Sequence, residues 1–331
     1  MDLTIGSFNV ENLSLKNDEQ RDKCKIIADI ILRNKFDIVA LQEVQDKNNS
    51  IQEICKYLKN YAGCDSSSVY ERLRLNNFCK SNTDYAYIWN RRQVQLCTDP
   101  NVYSGLAKCL NKCWDHYLEN LVRILIAIMQ QDKGISLFLQ KNIPLFPDIS
   151  KEDKVERYRP YIEATLRKTL RPPLIACFVP GTLWGSLFSE IRLINTHVCF
   201  GEDSKKFEDI RRLEMKFIQG ELHTAINTFR AGNFRSVYTI IAGDFNLSLA
   251  PTDQISMIYD DIKSERHQMT TVQTQPTTKN GFGENYDHFA FDANHITERV
   301  APRLNICSIP AIDEQERNVS NHIPIKMNLH I

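Results

Sequence analysis

Val237-Tyr238-Thr239-Ile240-Ile241-Ala242-Gly243-Asp244-Phe245-Asn246 is an apolar run that ends abruptly in an acid and an amide. Its β-branched and aromatic residues suit a strand, and the glycine with the polar residues after it marks where that strand stops. Reading backwards, Lys205 to Arg230 has the spacing of a long amphipathic helix, and Ile191 to His197 is a second strand that ends in a histidine. The same order occurs at the N-terminus. Leu3 to Val10 alternates as a strand, Gln20 to Asn34 places Cys24, Ile27, Ile30 and Ile31 at helical spacing, and Asp37 to Gln42 is again apolar. Strand, helix, strand is the signature of an α/β fold. In both units the polar residues fall at strand ends.

The rest of the chain fits an ordinary globular protein of 331 residues, 42% hydrophobic and 25% charged. The 41 basic residues balance the 41 acidic ones, so any polyanion must be held by a local patch and not by a global field. No run approaches the roughly 18 apolar residues of a membrane span, since Leu121 to Met129 contains Arg123. Met1 to Ile5 reads as the start of the first strand, not as a signal peptide. The ten cysteines are scattered without metal-ligand CxxC pairs, which makes them reduced core thiols and the setting intracellular, cytoplasmic or nuclear. Between two further strands, Tyr85 to Trp89 and Leu174 to Val179, lie helical patterns at Tyr103 to Asp132 and Tyr161 to Leu170, with two prolines in Asn142 to Asp153 between them. Residues 97–170 are therefore expected to form a mostly helical insertion, standing outside a single domain of residues 1–331.

Six short segments place acids, amides and histidines beside apolar runs. They are Phe8-Asn9-Val10-Glu11-Asn12, Leu41-Gln42-Glu43-Val44, Asn195-Thr196-His197, Gly243-Asp244-Phe245-Asn246, Tyr286-Asp287-His288-Phe289 and Ser320-Asn321-His322-Ile323-Pro324. A carboxylate at a strand end loses hydration unless it is paired or binds a metal. Taken alone, Asn9 reads as a turn cap, Glu43 as a surface acid and His197 as a core histidine. The ordered set is what decides. In this order the segments resemble the motifs of the endonuclease/exonuclease/phosphatase superfamily, over nearly the whole chain apart from the insertion.

That resemblance implies a four-layer sandwich of two mixed β-sheets flanked by helices, as in deoxyribonuclease I, with the six motifs converging at one edge. It also implies a phosphodiesterase dependent on Mg²⁺ or Mn²⁺, with Ca²⁺ a third candidate. Glu43 would be the main metal ligand, assisted by Asn9 and Glu11, because hard cations prefer carboxylate, amide and water oxygens. Asp244 and Asn246 would position the attacking water and the phosphate. His322, oriented by Asp287, and His197 would flank the phosphorus. Which histidine is acid and which base stays open.

Three departures stand out. The family carries Ser-Asp-His where this chain has Ser320-Asn321-His322, so a neutral amide occupies a position beside the metal. The acid expected to hold His197 is one residue out of register, at Asp84. Gln45 stands where deoxyribonuclease I carries an arginine, which lowers the expected affinity for DNA. In favour of DNA, residues 42–46, residues 274–278 with Tyr286-Asp287-His288, and Arg171-Pro172-Pro173 all look like deoxyribonuclease I segments. The last makes Arg171 a phosphate contact. An endonuclease acting on DNA is the leading expectation. The alternatives are another phosphoesterase, such as a sphingomyelinase or an inositol-phosphate phosphatase, or a weakly active binder of nucleic acid or of a protein through the insertion.

Overall fold

The computed structural model describes residues 2–45, 49–65, 85–131, 155–181, 188–198, 208–232, 235–247, 269–271, 286–292, 307–308 and 318–330. In the first sheet the order is β11 (Cys307–Ser308), β12 (Ile325–His330), β1 (Asp2–Leu13), β2 (Ile38–Val44), β4 (Tyr85–Asn90) and β3 (Tyr61–Asp65). In the second it is β5 (Val94–Leu96), β6 (Leu174–Pro180), β7 (Ser189–His197), β8 (Ser236–Asp244), β10 (Asp287–Asp292) and β9 (Met269–Thr271). Both sheets are mixed. β1 runs parallel to β2 and β7 parallel to β8, while the other pairs are antiparallel.

Alternation along the strands explains the stacking, since successive side chains leave a strand on opposite faces. In β2, Ile38 and Ala40 join the core against the second sheet, whereas Val39 and Leu41 pack with Cys24, Ile27 and Ile31 of helix α1 (Asp18–Arg33) and Ile51 and Ile54 of α2 (Asn49–Tyr57). Both faces are buried, so these strands read as continuous apolar runs. α1 is closed at its start by Asn17, whose side chain accepts from Gln20 N–H, a cap that contributes about 1 kcal/mol.

Polar bridges fix how the sheets lie on each other. Gln42 Nε2 donates to Asn195 Oδ1 at 2.8 Å, and Asn195 Nδ2 donates to Leu41 O at 2.9 Å. The Tyr87 hydroxyl reaches Leu174 O and Leu193 O, both at 2.9 Å. All of these groups are buried, so losing one partner costs about 1–3 kcal/mol, and the bridges bring the end of β2 over the end of β7.

On the outer face of the second sheet lie α3 (Pro100–Gln131), α4 (Val155–Thr169), α5 (Glu208–Phe217) and α6 (His223–Thr228). The expected single helix from Lys205 to Arg230 is interrupted by a π turn at Ile218–Leu222, and it ends at Thr228 with Phe229 extended. The helical part of the 97–170 stretch is not threaded into the sheets. Its first helix is nevertheless built into the covering layer: Leu106, Leu110, Leu118, Leu121 and Leu125 are fully buried in the main core. A Cβ at Gly105 would lie 1.8 Å from the Phe229 ring, so glycine is what lets α3 seat there. The apolar run around Leu121 is thus core, and among the described residues no helix is long and apolar enough to cross a membrane.

Candidate active site

The two parallel pairs end side by side, which is where α/β sheets bind ligands. Asn9 and Glu11 lie near the end of β1, Glu43 near the end of β2, His197 at the end of β7 and Asp244 at the end of β8. Asp287, which starts β10, is in register with Asp244. His322 lies three residues before the start of β12, which runs antiparallel beside β1. The backbone here is strained. Glu11, Asn12, Glu43 and Asn246 all have φ between 46° and 61°, a region disfavoured for residues with a side chain, and they are four of the five such non-glycine residues described. Gly243 is required as well, because a Cβ there would lie 1.8 Å from Thr196 O.

Asn9 is the hub. Its Nδ2 donates to Glu43 Oε1 at 2.9 Å and to Asp244 Oδ2 at 3.0 Å, and lies 3.5 Å from His322 Nε2. Its Oδ1 accepts from Glu11 N–H at 3.0 Å. Glu43 is braced at its second oxygen by Asn12 N–H at 3.0 Å. Asp244 Oδ2 lies between two imidazoles, 3.5 Å from His322 Nε2 and 3.7 Å from His197 Nε2, and its Oδ1 accepts from Asn246 N–H at 2.9 Å. Asn246 in turn donates its side-chain amide to Val198 O at 2.8 Å.

The two histidines differ in what touches Nδ1. His322 Nδ1 is 2.8 Å from Asp287 Oδ2. Burial alone would pull its pKa down, but the Asp287 and Asp244 carboxylates outweigh it and hold the value at about 10. His197 Nδ1 is 3.3 Å from Arg171 Nη1, and burial carries its pKa down to about 4, with Asp244 opposing and Arg171 adding to the fall. Asp244 is itself raised by burial. His288, one residue beyond Asp287, points away from the cluster, its Nε2 3.3 Å from Leu247 O, as strand alternation requires.

Hard-cation ligands lie beside this core. Glu43 is 19% exposed, and Glu11 Oε2 accepts from Asn321 N–H at 3.0 Å. Among the described residues, the buried Asn321 Oδ1 has no hydrogen-bond partner. Asp244, Asp287 and His322 also bring ligand atoms within 4.8 Å of one another, but the Asp287–His322 hydrogen bond already occupies two of these groups.

Sequence reasoning missed several supports. The Tyr85 hydroxyl accepts from His197 N–H at 2.9 Å, and Ser320 Oγ donates to Asn9 O at 2.8 Å while accepting from His322 N–H at 3.1 Å. Ser320 stood inside a recognised motif without a role, and nothing in the local pattern marked Tyr85. Gln45 donates its amide to Asn12 Oδ1, which ties it to the strained turn. Asp84 and residues 274–278 lie outside the described residues.

Solved structures match the fold over nearly the full length of the chain. An endonuclease/exonuclease/phosphatase family protein from Bacteroides thetaiotaomicron superposes with a TM-score of 0.52 at 15% identity, covering 99% of this chain and 97% of that one. The chain has the endonuclease/exonuclease/phosphatase fold. Two others with this fold are D. rerio TDP2 complexed with a single-strand DNA product (TM-score 0.51, 12% identity, 100% of this chain and 99% of that one) and the mannosyl-6-phosphatase Bt3783 from Bacteroides thetaiotaomicron VPI-5482 (0.51, 14%, 99% and 100%). No family model matches the sequence, and no curated protein matches it either.

Proposed function

We propose that this protein is a divalent-metal-dependent phosphoesterase of the endonuclease/exonuclease/phosphatase superfamily that hydrolyses a phosphodiester, with DNA as the substrate. The observation that carries the reading is the convergence of Glu43, Asp244 and His322 on Asn9, with His197 beside Asp244, from five motifs far apart in sequence. A cation held by Glu43, Glu11 and Asn321 would neutralise charge on the phosphoryl oxygens. Asp244, fixed through Asn9 and Asn246, orients the attacking water. His322, cationic at neutral pH beside Asp287, stabilises the pentacoordinate charge and protonates the leaving alkoxide. His197 hydrogen-bonds the phosphoryl group from the other side.

DNA is favoured by the segments that resemble deoxyribonuclease I and by the DNA product bound to the TDP2 neighbour. The mannosyl-6-phosphatase neighbour makes a phosphate monoester the competing substrate. With Gln45 engaged on Asn12 in place of an arginine, affinity for DNA is expected to be modest. We read residues 1–331 as one domain in which residues 97–170 are an insertion that helps cover the second sheet. The free thiols described fit an intracellular setting.

The test is hydrolysis of single- and double-stranded DNA beside a mannose phosphate, inositol phosphates and sphingomyelin, in Mg²⁺ and in EDTA. Cleavage of DNA in Mg²⁺ alone is expected. Turnover of a monoester or of sphingomyelin instead would move the chain to another branch. Binding of DNA without turnover would make it a binder, the reading that Asn321 keeps open.

A further inference from the structure

Cys97 and Cys177 belong to none of the six motifs, yet the second sheet sets them face to face. β5 and β6 are antiparallel with Leu96 opposite Phe178, so one residue further on Cys97 stands opposite Cys177. The backbone confirms the register, since Cys97 N–H donates to Cys177 O at 2.8 Å. Directly opposed residues send their side chains to the same face of a sheet. In a hydrogen-bonded antiparallel pair their Cα atoms lie about 5.5 Å apart, inside the range that a disulfide spans. Both side chains are buried in the main core, Cys177 completely and Cys97 with 4% of its surface exposed.

The two thiols are not equivalent. A hydrogen bond from the Cys177 thiol, helped by the backbone of Asp99, brings the Cys97 pKa down to about 7 against the effect of burial. Burial pushes Cys177 well up, and the bond to Cys97 adds to the rise. The buried Glu190 raises both, opposed by Arg235 at Cys97 and by Arg192 at Cys177. Cys97 is therefore the nucleophile of the pair, because the thiolate is the reactive form.

Their place in the chain gives the pair a consequence. Cys97 leads through Asp99, whose carboxylate accepts from Asn101 N–H at 2.9 Å, into α3 at Pro100. Cys177 lies in β6, the strand that follows α4. The stretch 98–176, which carries the helical insertion, thus leaves the second sheet at one cysteine and rejoins it at the other.

We propose that Cys97 and Cys177 are an oxidisable pair that a peroxide converts to a disulfide, tying together the two points at which the insertion joins the second sheet. The Cys97 thiolate sulfur attacks one peroxide oxygen, the O–O bond breaks and hydroxide leaves, which makes Cys97 a sulfenic acid. The Cys177 sulfur then attacks the Cys97 sulfur, the S–O bond breaks, and the departing hydroxide takes the Cys177 proton and leaves as water. The two thiols lose two electrons and the peroxide gains them. A small oxidant suits a sulfur with so little exposed surface. In a reducing compartment such a bond is transient and is reversed by thiols. None of this depends on the phosphoesterase reading.

The experiment treats the whole reduced protein with a small excess of hydrogen peroxide, alkylates the remaining thiols in denaturant with N-ethylmaleimide, and maps tryptic peptides by mass spectrometry. Residues 93–108 and 169–192 form two such peptides, each with a single cysteine. The expected main product is these two joined, and dithiothreitol should release them. In Cys177→Ser the cross-link should be lost, and dimedone should label Cys97 as the trapped sulfenic acid. The oxidised wild type should melt several degrees above the reduced protein, because closing the loop over 98–176 constrains the unfolded chain. Cys97 and Cys177 both alkylated after the treatment, or Cys97 joined to a different cysteine, would overturn the proposal. So would a gain in melting temperature that Cys177→Ser shows equally.

Discussion

The His322 side of the site and the His197 side present the same chemical group to Asp244 Oδ2, at 3.5 Å and 3.7 Å, yet they are built on opposite charges. Behind His322 stands a carboxylate, and behind His197 a guanidinium. Burial pulls both pKa values down; at His322 the Asp287 and Asp244 carboxylates outweigh it and hold the value at about 10, whereas at His197 burial prevails, with Arg171 adding to the fall, and carries it to about 4. The motifs leave open which histidine serves as acid, and these surroundings are the basis for proposing His322.

Separate and joint removal of the two histidines would break this comparison most visibly. Under steady-state phosphodiester hydrolysis, His322→Ala is expected to cost about 10³–10⁴ in kcat, since both the charge and the acid are lost. His197→Ala should cost about 10²–10³, the range for one hydrogen-bond donor. The double variant should lose less than the product of the two. Equal losses, or the reverse order, would mean that the difference in partner has no functional meaning.

A smaller effect is expected on the metal side. Asn321 N–H already holds Glu11, and its side-chain oxygen is a buried acceptor without a partner among the described residues. Asn321→Asp should lower the Mg²⁺ concentration for half-maximal rate by several-fold, because a third carboxylate would join Glu11 and Glu43 around the cation. An identical Mg²⁺ dependence would place position 321 outside the metal's reach.

Much of this was legible in the sequence, and what was missed has a common cause. The two strand-helix-strand units showed themselves because strands buried on both faces are continuously apolar, and Glu43, Asp244 and Asp287 stood out because acids are costly at their ends. The break at Ile218–Leu222 was hidden, since a π turn keeps its residues apolar and adds only one to the spacing. The seating of α3 in the outer layer was hidden too, because an amphipathic helix reads the same whether it stands apart or covers a sheet. The contacts of Tyr85 and Gln42 across the sheets, like that of Arg171 with His197, join residues far apart in sequence, so no spacing announces them.

The smallest expected effect concerns stability around the His197 side. Glu214 is buried and its pKa is raised from 4.5 to about 8. The folded state thus binds a proton that the unfolded chain releases, so its contribution is full below about pH 4.5 and is lost as pH rises towards 8. Glu214→Gln should remove that loss. Its melting temperature should gain on the wild type between pH 5 and 9, by an amount equivalent to roughly 2–4 kcal/mol at most. Parallel curves for the two proteins would mean that Glu214 is charged and paired when folded.

The central claim, that the edge where β1, β2, β7 and β8 end is a metal-dependent phosphodiesterase site, is tested most directly by one Mg²⁺ titration of DNA hydrolysis with the wild type and Glu43→Gln side by side. The wild type should rise from background in EDTA to saturation. Glu43→Gln should stay at least about 10²-fold lower at every concentration, because a charge is lost where the phosphoryl charge develops. Hydrolysis undiminished in EDTA, or equal curves for the two proteins, would contradict the account.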